Sequence, residues 1–197
     1  MTADALYLLN AVAAHPRIDP KRIGVMGGSK GGGVAFYVAW NPLRIAIAKD
    51  HEFAAHIPLY PACVYWEKKD FSRKPIMMML VAKDNYTGVQ HCVESMKEIQ
   101  NAGYDNIEVK LYPGAYHAFD GDGGIRQNDR GYSFVDCRFT VRADGRDFAS
   151  GMSMDTVDNK RKAIRGCATK GVTLGGNLVM GQAMTDVRQF LTKALLQ

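Results

Sequence analysis

A serine inside a cluster of glycines is the residue of this sequence best suited to chemistry. Residues 27–31 read Gly-Gly-Ser-Lys-Gly, which fits the pattern G-x-S-x-G with Ser29 at its centre. An apolar run (23–26) precedes the cluster and a helical pattern follows it, which predicts a strand, a sharp turn and a helix. Small neighbours let the serine adopt strained backbone angles. The helix start adds free N–H groups, and we expect the Lys30 backbone N–H to stabilise an oxyanion.

Two other interpretations of this turn stay open at this point: a phosphate-binding loop and a purely structural turn. A Walker A loop needs a lysine before the hydroxyl residue, whereas here Ser29 precedes Lys30. The spacing of the glycines also does not supply G-x-G-x-x-G. Because G-x-S-x-G occurs often by chance, a catalytic serine needs partners elsewhere in the chain.

Composition narrows the class of protein. A chain of 197 residues with 47% hydrophobic residues can bury one core, which predicts a single domain over residues 1–197. Neither a membrane span nor a signal peptide is visible in this chain, and composition leaves the compartment open between a cytoplasmic default and a periplasmic or secreted location. The net charge of +5 is mild, and the basic run 160–165 lacks interleaved aromatics. That run indicates a solvated helix face rather than a nucleic-acid site.

The rest of the chain alternates helical and strand patterns, which predicts an α/β fold with a mainly parallel sheet flanked by helices. The run 76–82 is apolar without alternation, as expected for a strand covered on both faces. From about 120 to 156 the pattern is lost, which predicts a long excursion. The predicted strands are 22–26, 53–59, 76–82 and 107–112. The predicted helices are 3–14, 31–40, 89–102 and 182–196, with a further short helix within 156–168.

Two later strand ends offer partners for Ser29. Catalytic groups of parallel sheets gather at the carboxyl ends of the strands. Asp84 follows the strand 76–82, and His117 follows the strand 107–112. The order Ser, Asp, His is that of α/β-hydrolases. We therefore predict that His117 is the base for Ser29, that Asp84 orients His117, that the reaction passes through an acyl-enzyme, and that activity falls at acid pH.

Other interpretations of these partners are weaker. Asp84 could instead cap the following helix. Asp120 and Asp122 are nearby acids, but both follow the histidine in its own loop. The remaining histidines lie in a turn, a loop, a strand and a helix rather than at a strand end; they are His15, His51, His56 and His91.

Four segments resemble the dienelactone hydrolase family of α/β-hydrolases. The resemblance runs from about Ala5 to the C-terminus and implies the triad Ser29, Asp84 and His117. It implies small ester or lactone substrates, no metal and no other cofactor. Founding members of the family use cysteine at the position of Ser29, which favours a general carboxylesterase here. The segments are Gly-Gly-Ser-Lys-Gly-Gly (27–32), Phe-Ala-Ala-His-Ile-Pro-Leu-Tyr-Pro-Ala-Cys (53–63), Lys-Asp-Asn-Tyr-Thr (83–87) and Tyr-Pro-Gly-Ala-Tyr-His-Ala-Phe-Asp (112–120).

The resemblance also implies several strands before Ala5, which would flank the strand 22–26 and supply a second oxyanion N–H. We therefore expect an N-terminally shortened hydrolase whose open sheet edge is covered in a homo-oligomer. The alternatives are a non-catalytic or partner-dependent fragment and an acyltransferase with the same triad. Tyr60, Tyr86 and Phe119 are the predicted walls of the substrate pocket.

The four cysteines form no C-x-x-C pair, which argues against a zinc site. Within this fold, Cys63 follows one strand end and Cys92 lies on the helix after the next strand, so we expect them to approach each other. Cys137 and Cys167 are then the second candidate pair, which would tie down the excursion. Four free thiols are the alternative.

Overall fold

The computed structural model of the chain describes residues 1–121 and 123–196. Its strands are β1 (Gly24–Gly28), β2 (Ala55–Leu59), β3 (Tyr65–Trp66), β4 (Ile76–Val81), β5 (Ile107–Tyr112), β6 (Arg126–Ser133), β7 (Phe139–Val141), β8 (Asp147–Ala149), β9 (Met152–Ser153) and β10 (Thr169–Leu174). Its α-helices are α1 (Thr2–Ala13), α2 (Lys30–Tyr37), α3 (Asn41–Ile47), α4 (Val89–Asn101), α5 (Val157–Arg165) and α6 (Met180–Leu196).

The centre of the fold is a parallel sheet in the order β1-β2-β4-β5. Helices α2 and α4 cover one face and α6 covers the other, so the prediction of a mainly parallel sheet flanked by helices is confirmed. Because the strands are parallel, their carboxyl ends lie at one edge of the sheet. The loops that follow β1, β4 and β5 therefore meet there.

Strand β4 explains the unbroken apolar run of the sequence. Its side chains alternate between the two faces, and every one of them is buried. Ile76, Met78 and Leu80 pack against α2 and α4, whereas Met77 and Met79 pack against α6. Burying a side chain of this size contributes about 1.5–3 kcal/mol. The strand therefore anchors both layers and fixes the position of the loop that carries Asp84.

The excursion contains more regular structure than the sequence indicates. β6 lies in the excursion and pairs with β10, which follows it later in the chain, as an antiparallel ribbon. The strands β7, β8 and β9 of the excursion join β3 in a second small sheet. Most residues of β6 are exposed. A strand that is polar on both faces has no apolar alternation, which is why the pattern did not predict it.

Two predicted boundaries are wrong for local reasons. The predicted helix 31–40 ends earlier, at Tyr37, and Pro42 lies in the first turn of the separate helix α3, where its fixed φ is favourable. Arg22 belongs to a one-turn 3₁₀ helix (Pro20–Arg22) in which the Asp19 side chain accepts a hydrogen bond from the Lys21 N–H. Strand β1 consequently begins at Gly24.

Both expected cysteine pairs are disulfides in the structure. Cys63 pairs with Cys92 and Cys137 with Cys167, with Cα–Cα distances of 4.9 and 5.0 Å. We expect that alkylation of the denatured chain adds no mass without reductant and four adducts after reduction. Each bridge closes a loop of about 30 residues, and its loss should lower the free energy of unfolding by about 3–4 kcal/mol. Four adducts without reductant would contradict both bridges.

His56 should make stability sensitive to acid. The side chain is 1% exposed in β2, and its Nδ1 bonds the Ala35 carbonyl at 2.9 Å. Burial lowers the pKa of His56 to about 4, although the Ala35 bond opposes the shift. The unfolded chain, with an ordinary histidine pKa near 6.5, therefore binds more protons between these values. Neutral His56 thus contributes to the free energy of unfolding. The contribution is complete above about pH 6.5, and about 3 kcal/mol is lost as the pH falls through about 4.

Urea unfolding at pH 7 and pH 4 measures this effect. The wild type should lose about 3 kcal/mol more than His56→Leu over that interval, because leucine does not titrate. Equal losses in the two proteins would show that His56 is not the acid-sensitive group.

Candidate active site

Ser29 lies at the turn between β1 and α2 with a φ of +54°, a positive value that residues other than glycine rarely adopt. Its N–H donates to the Leu59 carbonyl at 2.9 Å, and its carbonyl accepts from the Gly33 N–H at 2.9 Å. A Cβ on Gly27 would lie 2.6 Å from the carbonyl carbon of Gly31. The turn therefore requires glycine at that position, and it holds the Ser29 hydroxyl at the carboxyl end of β1.

Ser29, His117 and Asp84 form a continuous chain of hydrogen bonds. The Ser29 Oγ lies 2.7 Å from His117 Nε2, and His117 Nδ1 lies 2.9 Å from Asp84 Oδ2. His117 is 3% exposed and Asp84 6% exposed, whereas Ser29 is partly exposed. The fold thus brings together the three predicted residues, each at the end of a different strand. A hydroxyl with this neighbour can pass its proton to the imidazole and become a nucleophile.

The Asp84 carboxylate is held by hydrogen bonds on both oxygens. Oδ1 accepts from the N–H groups of Tyr86 (2.8 Å) and Thr87 (2.9 Å), and Oδ2 accepts from the Thr87 hydroxyl (2.8 Å) and His117. Burial raises the pKa of Asp84, but the bonds from His117 and Thr87 outweigh burial and hold the pKa below its usual value. Since a carboxylate only accepts, His117 must carry its proton on Nδ1, which leaves Nε2 free to act as the base.

Asp84 does not cap the helix that follows. Helix α4 begins at Val89, with Gly88 in the capping position. The hydrogen bonds of Asp84 instead close the turn 84–87 that precedes the helix. The carboxylate therefore shapes its own loop while it orients His117.

The backbone N–H of Lys30 occupies the first position of α2. An N–H at that position has no acceptor within its helix, and the helix dipole favours negative charge beside it. The N–H of Ser29 is already bonded to Leu59. Lys30 therefore remains the predicted oxyanion donor on this side of the turn.

Of the three predicted pocket walls, two contact the histidine. The Tyr86 ring stacks on the His117 ring with centroids 4.6 Å apart and an interplanar angle of 14°, and the Tyr60 ring meets it edge-on at 4.8 Å. Phe119 is fully buried and packs against Tyr60 and Tyr112. It lies beneath the site and does not line an open pocket, because the loop after His117 turns its side chain into the core.

Tyr60 and Asp120 hold the histidine loop against the serine turn. The Tyr60 hydroxyl donates a short hydrogen bond to Asp120 Oδ1. Burial raises the pKa of Tyr60, and the bond to Asp120 raises it further, so the hydroxyl stays protonated. Tyr60 and Ala118 both have positive φ, at +34° and +56°. The Asp120 carboxylate thus bonds Tyr60 and not His117. Asp122, the other acid near the histidine in sequence, lies outside the described residues.

The β6–β10 ribbon and the residues directly after its strands contact the loops that carry Asp84 and His117, which sequence reasoning missed. Asn85 Oδ1 accepts from the Thr173 N–H at 2.9 Å, and the Tyr86 carbonyl accepts from the Phe134 N–H at 2.7 Å. The Gly175 N–H donates to the His117 carbonyl at 2.8 Å. These partners are far apart in sequence, so no local pattern indicates them.

Two cavities lie away from the triad, and no triad residue lines either. One, of about 600 Å³, is lined by Tyr37, Trp40 and Trp66 among others, and the second, of about 760 Å³, lies between α6 and the first residues of β4 and β5. We assign the site from the triad's hydrogen bonds, because chemistry depends on those contacts rather than on cavity volume. Residues 1–121 and 123–196 contain no cluster of three or more metal-ligating side chains.

None of the helices in the described part of the chain has the length and apolar character needed to cross a membrane.

Solved structures that match part of this chain include three hydrolases. An α/β-hydrolase from a Medee basin deep-sea metagenome library shares 22% identity, with a TM-score of 0.46 and coverage of 61% of this chain and 50% of that one. A candidate dienelactone hydrolase of Klebsiella pneumoniae shares 24% identity, with a TM-score of 0.47 and coverage of 60% of this chain and 50% of that one. A thermophilic esterase of the planctomycete Thermogutta terrifontis shares 19% identity, with a TM-score of 0.49 and coverage of 62% of this chain and 55% of that one. This chain thus spans about half the length of these structures.

No curated protein matches the chain significantly. The sequence model of the dienelactone hydrolase family matches residues 1–133, which include Ser29, Asp84 and His117. That match covers about two thirds of the chain, and the chain therefore belongs to the dienelactone hydrolase family.

Proposed function

We propose that this chain is a serine hydrolase that cleaves small carboxylic esters or lactones. The observation that carries the proposal is the hydrogen-bonded line from Ser29 through His117 to Asp84 at the carboxyl edge of a parallel sheet. Membership of a hydrolase family supports the reaction class. A serine nucleophile favours a general esterase over a dienelactone specialist, since the founding members use cysteine.

In the proposed first half-reaction, the Ser29 Oγ attacks the acyl carbonyl carbon while its proton moves to His117 Nε2. Asp84 stabilises the imidazolium that results. The Lys30 N–H donates to the oxyanion of the tetrahedral intermediate. Collapse of that intermediate breaks the bond to the alcohol, which leaves with the proton from His117, and the acyl group stays on Ser29.

In the second half-reaction, water attacks the acyl-enzyme. His117 takes a proton from the water and returns it to the Ser29 Oγ when the acid is released. Because a protonated His117 cannot act as the base, hydrolysis should decline on the acid side of neutrality. Asp84 remains ionised over that range because its pKa is lowered.

Turnover of short-chain p-nitrophenyl esters, together with labelling of Ser29 by a fluorophosphonate, tests the proposal. We expect turnover that declines at acid pH and a single adduct on the peptide that contains Ser29. A folded chain that neither turns over nor takes the label would favour a non-catalytic or partner-dependent fragment. Product that appears only with an added alcohol acceptor would instead favour acyl transfer, the second candidate.

We also propose that the chain self-associates along β1. This strand is at the edge of the central sheet and pairs only with β2 among the described strands. Met26, in its middle, is 48% exposed. Unpaired backbone groups beside an exposed apolar side chain make such an edge a site for pairing. Light scattering at micromolar concentration should give at least a dimer, and a well-folded monomer would overturn the proposal.

A further inference from the structure

We propose that Tyr86 is a positioning residue of the triad, which holds the His117 ring in the orientation that serves Ser29 and Asp84 at once. The inference rests on the proposed function in one respect, namely that His117 is the base. It concerns a residue that takes no part in proton transfer and acts through the face of its ring.

The geometry of the two rings carries the proposal. A triad histidine must present Nε2 to the serine and Nδ1 to the carboxylate, so its ring plane must stay fixed. Tyr86 covers one face of the His117 ring at 4.6 Å and 14°, while Tyr60 closes on it edge-on at 4.8 Å and 69°. Contact on the face leaves both nitrogen edges free for their partners. It also favours the imidazolium, because an aromatic face attracts positive charge.

Tyr86 is itself held from both sides. Its N–H donates to Asp84 Oδ1, and its carbonyl accepts from the Phe134 N–H of the loop after β6. The Tyr86 ring lies 6.0 Å from the Phe134 ring. The neighbouring Asn85 side chain accepts from the Thr173 N–H of β10. The β6–β10 ribbon therefore fixes the stacked ring, and through it the histidine.

The ring of Tyr86, rather than its hydroxyl, makes the contact. Within the described residues, no hydrogen bond involves the Tyr86 hydroxyl, whereas that of Tyr60 is bonded to Asp120. Tyr86→Phe keeps the stacked face and should keep the function. Tyr86→Leu removes the aromatic face and should not.

Steady-state kinetics with a p-nitrophenyl ester test this difference. In Tyr86→Leu we expect kcat to fall about tenfold or more with KM within about twofold, because misplacing the base harms the chemical step more than binding. Tyr86→Phe should retain kcat within about twofold. Tyr132→Leu is the matched control, since Tyr132 is an exposed ribbon tyrosine that packs on Lys170 and should leave kcat unchanged.

Three kinetic outcomes would overturn the proposal. Wild-type kcat in Tyr86→Leu would show that the face is dispensable. Equal losses in Tyr86→Phe and Tyr86→Leu would transfer the role to the hydroxyl. A change confined to KM would make Tyr86 a wall of the substrate pocket. If Tyr86→Leu does not fold, Tyr86→Met, which is also without a ring face, replaces it in the comparison with Tyr86→Phe.

Proton NMR of the His117 ring gives a readout that needs no activity. Stacking places the ring protons of His117 over the Tyr86 face, where they are shielded. Their resonances should move downfield in Tyr86→Leu and stay in place in Tyr86→Phe. If the wild type hydrolyses no ester but the resonances behave this way, the proposed function fails and the positioning stands. An active wild type whose resonances do not move in Tyr86→Leu overturns the positioning alone.

Discussion

Replacing Ser29 with alanine should lower kcat for a short-chain p-nitrophenyl ester by at least about a thousandfold. The variant lacks the hydroxyl that His117 Nε2 contacts at 2.7 Å, so no acyl-enzyme can form. The turn should survive, because alanine needs no more space than serine and Gly27 still permits the close approach to Gly31. Initial rates over a substrate series, with unfolding monitored in parallel, make the measurement.

Ser95→Ala is a suitable control for the loss of Ser29. Ser95 is a buried serine on α4 whose hydroxyl donates to the Val64 carbonyl at 2.6 Å, away from the triad. We expect it to keep the wild-type kcat. If Ser29→Ala retained most of the activity while remaining folded, Ser29 would not be the nucleophile and the proposed mechanism would have to be abandoned.

Asp84→Asn should lower kcat at neutral pH by about ten-thousandfold, the size seen when a triad carboxylate becomes an amide. Both oxygens of Asp84 face hydrogen-bond donors, so an amide NH₂ finds no acceptor on the backbone side. Placed on the other side, it meets the Thr87 hydroxyl and His117. Because an amide NH₂ donates, His117 Nδ1 would then accept, and the histidine would carry its proton on Nε2. That nitrogen could no longer accept the proton of Ser29.

Asp120→Asn separates this effect from the loss of any nearby charge. Asp120 bonds the Tyr60 hydroxyl and does not contact the histidine, so the change should cost far less, about tenfold at most. Rates of both variants against the same ester provide the comparison. Equal losses in the two variants would mean that Asp84 has no special role in orienting His117.

The predicted triad depended on features that are local in the sequence. The glycines around Ser29 mark a turn that few other residues can adopt, and the apolar run of β4 marks a strand buried on both faces. Asp84 and His117 follow directly after strands. Because parallel strands end at one edge, their order along the chain was enough to predict that these residues meet.

The ribbon and the stacking around His117 could not be predicted in this way. β6 is exposed on both faces, so its sequence has no apolar period, and its partner β10 lies about forty residues further along the chain. Phe119 was expected in the pocket, but packing on Tyr60 and Tyr112 draws it into the core.

Backbone strain and apolar periodicity, each spread over a few residues, were enough to predict which three residues meet and in which strand-end loops they lie. The surroundings of His117, in contrast, depend on the tertiary structure. The Tyr86 face, the Tyr60 edge and the ribbon reach the ring from separate parts of the chain. Contacts of that kind depend on how the layers pack, and packing is a property of the whole fold.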